Sequence, residues 1–161
     1  MQGEPLPDAK RTRATGKDRG VQMPPVRILV VDDSGPFLRF IISTLQTVPE
    51  VRVICSASDG FEAVQKAVEL RPDLILLDIG LPGQNGIEAA RQIRRVAPES
   101  RIIFVSQESS ADVVEEALSL GGRGYVLKTS AGSDLVAAVE AVICGKQFVS
   151  SALSPYTFTH S

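Results

Sequence analysis

The chain has 161 residues, enough for one well-buried domain and too few for two ordinary ones. Its 43% apolar and 22% charged residues are proportions found in soluble globular proteins, and a formal net charge of −2 gives no whole-chain bias toward nucleic acid. No apolar run reaches membrane-spanning length, Cys55 and Cys144 make no disulfide framework, and a single histidine, His160, leaves little material for transition-metal clusters or histidine-based triads.

Residues 1–25 are rich in Pro, Gly, Lys and Arg and lack periodicity. Lys10, Arg11, Arg13, Lys17 and Arg19 outnumber Glu4, Asp8 and Asp18, and the stretch reads as a disordered basic extension. From Val26 short apolar runs recur: "VRILVV" (26–31), "VRVICSA" (51–57), "LILL" (74–77), "RIIFVS" (101–106) and "GYVL" (124–127). Most are nearly continuous rather than alternating, the pattern of strands covered on both faces. Between them lie helical periods: Phe37, Ile41 and Leu45; Phe61, Val64 and Val68; Ile87, Ala90, Ile93 and Ala97; Val113, Ala117 and Leu120; Leu135, Val139 and Val142. Ser58 and Asp59 are placed to open the second helix, and Gly121 and Gly145 to close the fourth and fifth. Five such units over residues 26–145 predict an α/β fold with a doubly wound, five-stranded parallel sheet in flavodoxin-like order 2-1-3-4-5 and five helices. Residues 146–161 read as a tail.

Polar residues fall where four of the predicted strands end. Asp32 and Asp33 follow the first, Asp78 the third, Ser106 the fourth and Lys128 the fifth. Ligands of open α/β sheets bind outside these carboxyl ends, where strand order reverses. Singly, each residue has a plainer reading: a helix cap, turn chemistry, a strand-end hydroxyl, a solvated charge. Five converging on one crevice make that sum of coincidences a poor account. Two carboxylates ~4 Å apart repel by roughly 4 kcal/mol at an effective dielectric of ~20, so a group of three needs a cation. An oxygen-only donor set suits a hard ion, and Mg²⁺ accepts a few carboxylates, a carbonyl, waters and a phosphate oxygen. Beside Mg²⁺ and Lys128, Asp78 is the candidate nucleophile for an acyl phosphate, with a Gly/Pro loop leaving room for the incoming group.

"VVDDS", "LLDIGLPGQNG", "FVS" and "GYVLK", in this order, resemble the receiver domain of two-component response regulators across residues 26–145. The resemblance implies that Asp78 is the phosphoacceptor, modified to 4-aspartylphosphate. It implies that Asp33 binds Mg²⁺ directly and Asp32 mainly through water, with Asp78 itself and the Gly80 carbonyl completing the protein ligands. Ser106 and Lys128 would contact phosphoryl oxygens. Tyr125 matches an aromatic switch position and equally reads as a strand tyrosine at a sheet edge. Phosphate is expected to draw Ser106 inward and let Tyr125 rotate toward the core. The implied donor is a sensor histidine kinase or a histidine phosphotransfer protein. The implied output is a downstream protein, or a second copy in a homodimer, meeting the face of helix 4, strand 5 and helix 5. Such a protein works in the cytoplasm and catalyses only its own phosphorylation and dephosphorylation.

"EALSLGGRGYVLK" and "AVEAVICGKQFVS" resemble the subfamily that carries a C-terminal helix-turn-helix. Only 16 residues follow Gly145, too few for such a domain, so neither a nucleic-acid nor a membrane partner is expected. Phe148, Val149, Leu153, Tyr156 and Phe158 in this tail are expected to cover or enlarge the output face. Two departures from the family are Thr129, where many receivers have Pro, and the bulky Gln107 after Ser106. Other readings stay open: a phosphate-independent receiver-like interaction module, a flavodoxin-like nucleotide-binding protein, or a haloacid-dehalogenase-type phosphatase. The last would want an Asp two residues after Asp78, where Gly80 stands.

Overall fold

A computed structural model describes residues 23–153. The expectations for the basic extension up to residue 22 and for Tyr156, Phe158 and His160 lie outside the described residues. Strands β1 (Val26–Val31), β2 (Val51–Ala57), β3 (Leu74–Leu77), β4 (Arg101–Ser106), β5 (Gly124–Leu127) and β6 (Phe148–Val149) form one sheet. Their order is β2-β1-β3-β4-β5-β6, with every pairing parallel. Helices α1 (Gly35–Leu45), α2 (Gly60–Leu70), α3 (Gly86–Val96), α4 (Ala111–Ser119) and α5 (Ala131–Ile143) connect them.

The continuous apolar runs of β1, β3, β4 and β5 are buried because helices cover both faces of the sheet. Alternate residues feed two separate cores. Leu29, Ile75, Leu77 and Phe104 join the core that contains α2, α3 and α4 residues, while Ile28, Val30, Leu76 and Ile103 join that of α1 and α5. Asp59 caps α2 by accepting from the Glu62 N–H at 2.8 Å, and Glu62 returns a bond to the Ser58 N–H at 2.9 Å. The C-termini of α4 and α5 both close with Schellman-type bonds. Gly122 N donates to Ala117 O and Gly121 N to Leu118 O; Lys146 N donates to Ala141 O and Gly145 N to Val142 O. Gly121 (φ 100°) and Gly145 (φ 84°) supply the left-handed residue each motif needs.

Arginines support the C-terminal ends of α2, α3 and α5. Arg27 at the start of β1 donates to the carbonyls of Arg71 and Leu70 behind α2, and Arg71 donates to Val96 O at the end of α3. Arg101 at the start of β4 donates to Val142 O in the last turn of α5. These guanidiniums add donors to carbonyls at the helix ends and oppose the negative ends of the helix dipoles.

Two expectations need correction. The sheet has six strands, not five, because the chain turns after α5 and lays Phe148 and Val149 beside Gly124 and Tyr125. Bonds from Phe148 N to Arg123 O (3.1 Å) and from Ser150 N to Tyr125 O (2.9 Å) hold this short strand. A 3₁₀ turn, Ser151–Leu153, then buries Leu153, which contributes roughly 1.5–3 kcal/mol by apolar transfer. The second correction concerns α2. The stripe Phe61, Val64 and Val68 is not its buried face: Phe61 is 63% exposed, and Gly60, Ala63 and Ala67 turn inward. The reason is close approach. A Cβ on Gly60 would fall 1.9 Å from the Gln84 carbonyl oxygen, so only small residues fit where α2 starts.

Candidate functional site

The parallel register brings the carboxyl ends of β1, β3, β4 and β5 to one rim of the sheet. Asp78 N donates to Val31 O at 3.1 Å, which fixes the end of β3 beside that of β1. Asp32 is buried; its Oδ1 accepts from the Ser34 N–H at 2.8 Å while Ser34 Oγ caps α1. Asp33 faces solvent. One carboxylate oxygen from each of Asp32, Asp33 and Asp78 lies within 4.8 Å of the other two.

Lys128, directly after β5, reaches back into this group. Its Nζ lies 2.8 Å from Asp32 Oδ2 and 3.1 Å from Asp78 Oδ2. The Phe37 ring of α1 stands on its other side, 4.7 Å from ring centroid to Nζ, a cation–π contact that steadies the ammonium. Burial works against the Lys128 charge, but the two aspartates outweigh it and hold its pKa above the usual value. Asp78 goes the other way from an ordinary paired carboxylate. Burial pushes its pKa up, the attraction of Lys128 opposes this without cancelling it, and Asp32 adds to the rise.

Ser106, at the end of β4, is buried, and its Oγ accepts from the Glu108 N–H at 3.1 Å. Its hydroxyl thus ties down the start of the loop between β4 and α4. Tyr125 lies in β5 opposite Phe104, with ring centroids 6.2 Å apart. It is 0% exposed, and its OH donates to Glu108 O at 2.7 Å. Burial raises this phenol's pKa to about 12. The ring thus lies in the inward position, over the core. Gly80 N donates to Asp78 Oδ1 at 3.3 Å, and nothing lies within 4 Å of where a Gly80 Cβ would stand. Next to it opens a cleft of about 550 Å³ between the N-terminal part of α3 and α4, lined by Ile79, Ile87, Val113, Glu108 and Arg91 among others.

The site can take a hard cation on chemical grounds. Asp32 Oδ2 is buried and, although close to Lys128, receives no well-directed hydrogen bond. With one oxygen each from Asp32, Asp33 and Asp78 within 4.8 Å of one another, the donor set is the all-oxygen kind that a hard cation takes. The sequence named Asp32, Asp33, Asp78, Ser106 and Lys128, which the structure brings to one rim, but not Arg91 of the adjoining cleft. It missed two supports: Phe37 behind the lysine, and Gly86, which lets α3 start against Asp78. A Cβ on Gly86 would fall 2.1 Å from the Asp78 carbonyl oxygen. "PGQNG" gave a turn signal, but not this contact. The Glu108 carbonyl that receives Tyr125 was equally invisible, since backbone acceptors carry no sequence mark.

A doubly wound parallel sheet with an acidic group and a lysine at its switch point suits a hard cation and a phosphoryl group rather than a dinucleotide, which needs a Gly-rich loop after β1. Residues 28–140 match the response regulator receiver domain, and the chain belongs to that family. It is 36% identical over 121 residues to the transcriptional regulatory protein LiaR of Bacillus subtilis, covering 75% of this chain and 57% of that one. It is also 36% identical to the nitrate/nitrite response regulator NarL of Escherichia coli, covering 81% and 61%. The chain thus spans about three fifths of these two relatives. The chemotaxis protein CheY of Thermotoga maritima is 34% identical and matched over 96% of its length, with 72% of this chain covered. Among solved structures, a LuxR-family response regulator from Aurantimonas superposes with a TM-score of 0.78 at 31% identity, covering 82% of this chain and 94% of that one. The isolated receiver of RcsB from Salmonella enterica, with a beryllofluoride phosphomimetic, gives 0.78 at 25% identity, covering 83% and 99%. The chain is a receiver domain of two-component signalling, homologous to these regulators. Among the described residues, no helix is long and apolar enough to cross a membrane.

Proposed function

We propose that Asp78 accepts a phosphoryl group from the phosphohistidine of a sensor kinase or phosphotransfer protein, in a Mg²⁺-dependent step in the cytoplasm. One observation carries this reading: Asp78 sits at the end of the central strand between a fixed ammonium and two further aspartates, with open space at Gly80. Asp32, Asp33, Asp78 and the Gly80 carbonyl would hold the ion. When bound, Mg²⁺ supplies positive charge for the transferring phosphoryl oxygens and for the crowded carboxylates.

The chain's own residues do the rest. Ionised Asp78 directs a carboxylate oxygen at phosphorus; the new O–P bond forms as the N–P bond breaks, and the bonding pair stays on the donor's imidazole nitrogen. Lys128, already 3.1 Å from Asp78 Oδ2, pairs with a phosphoryl oxygen, and so neutralises charge that grows on transfer. Ser106 Oγ donates a bond to a second phosphoryl oxygen. As Oγ shifts toward the phosphoryl oxygen it draws on the Glu108 N–H it accepts from, so the loop of residues 107–110 moves, and the face formed by α4, β5 and α5 changes with it. A separate protein or a second copy would read that face. Asp78→Asn, incubated with a small phosphodonor and Mg²⁺, is expected to lose the acid-stable, base-labile label that the unaltered chain acquires. Undiminished labelling of the variant would remove Asp78 from this role. Absence of labelling in both would favour phosphate-independent signalling.

A further inference from the structure

The segment after α5 has no part in the phosphoryl chemistry, yet it is bound to the strand that carries Tyr125. Val149 stands opposite Tyr125 in the register, and Ser150 N donates to Tyr125 O at 2.9 Å. The buried Ser150 hydroxyl accepts from Leu127 N at 3.1 Å, one residue before Lys128. Leu153 is buried in the same cluster as Tyr125, and Val149 packs against that cluster. Tyr125 meanwhile lies fully inside, with its OH on Glu108 O.

An aromatic residue on an edge strand has two places for its ring: inward over the core, or outward past the open edge. Here β6 and the Leu153 turn occupy the ground beyond β5. We propose that Phe148–Leu153 is a strap that locks Tyr125 inward, so that strap docking sets the population of the switch. The two states then differ in contacts that only the inward ring and the docked strap make together. By linkage, whatever favours one favours the other to the same degree. A phosphoryl group that stabilises inward Tyr125 therefore tightens the strap, and loss of the strap hands control of Tyr125 back to phosphate. The meaning given to the position of Tyr125 rests on the receiver reading; the lock itself rests on the packing.

The chain has two tyrosines, so Tyr156→Phe leaves Tyr125 alone as a reporter. The full chain with that change and 3-fluorotyrosine incorporated is followed by ¹⁹F NMR with a soluble paramagnetic agent. The expected result is one shielded resonance. Leu153→Ala should raise the exposed population about tenfold, from a minor state to a readily seen one, and Mg²⁺ with beryllofluoride should reverse the change. A folded Leu153→Ala with Tyr125 as shielded as before would overturn the lock. If that variant does not fold, Ser150→Ala, which removes only the acceptor for Leu127 N, should shift Tyr125 in the same direction by less; no shift would again overturn it. Labelling of Asp78 is scored separately on the same variants. A lock without labelling would leave the strap and remove the phosphoacceptor role of Asp78, and labelling without a lock would do the reverse.

Discussion

Among single side chains, burial separates three carboxylates that look alike in sequence. Asp32 and Asp78 are inside and Asp33 is not; burial, with a smaller addition from Asp32, raises the pKa of Asp78. The sign follows from linkage. A carboxyl with a folded pKa above its unfolded value stabilises the fold below the unfolded value, and that contribution disappears as pH rises through the folded pKa. Metal-free protein should therefore lose stability from about pH 4 upward through the Asp78 titration, and Asp78→Asn should flatten that part of the profile in thermal melts. Asp33→Asn should behave differently. Its charge is solvated, so metal-free stability should change by less than about 0.5 kcal/mol, while the rise in Tm on adding Mg²⁺ shrinks. A large metal-free effect of Asp33→Asn would mean that the repulsion is shared. Tyr125 gives an alkaline signature. Its phenol, raised to about 12, favours folding below pH 10, and this is lost as pH rises from 10 to about 12. Tyr125→Phe should remove that slope, which denaturant titrations at pH 9 and 11.5 would detect.

At the scale of elements, the strands were legible and the helix faces only partly so. Runs such as "RILVV" are buried on both sides, so composition alone marks them. In α2 the apolar period pointed to Phe61, Val64 and Val68, because a hydrophobicity pattern weighs large side chains most. The packing instead selected Gly60, Ala63 and Ala67 for their smallness. The same rule governs the start of α3. Gly86→Ala should gain helix propensity yet lose about 1–3 kcal/mol, since the new methyl can be seated only by moving the Asp78 backbone. Phosphoryl acceptance should fall with it. A stable, fully active Gly86→Ala would show that the turn has slack. β6 was missed for a different reason: two residues carry no period, and only their partners across the sheet define them as strand. The site residues were legible because each sits at the end of a run that is easy to read. Their state, with Tyr125 inward and Ser106 engaged by Glu108, was not, because backbone acceptors and register decide it.

For the whole molecule, an open sheet leaves two strands with unsatisfied backbone along one side, each a template on which another chain could grow. The outer strand β2 is seven residues long, but its register with β1 slips: Ile28 pairs with Val53 and Leu29 with Cys55, leaving Ile54 as an extra residue. That irregularity twists the row of donors and acceptors away from straight. At the opposite side β6 has two residues before the chain curls into the Ser151 turn. Neither margin offers a long flat ladder, so crowded copies have little purchase for the strand-by-strand addition that seeds fibrils. Removing Ile54 would straighten β2, and the lag before thioflavin-positive fibrils form should shorten in consequence; an unchanged lag would assign the protection to other parts of the surface. The two permanent sticky margins of the sheet are thus blunted by one surplus residue and one abrupt stop.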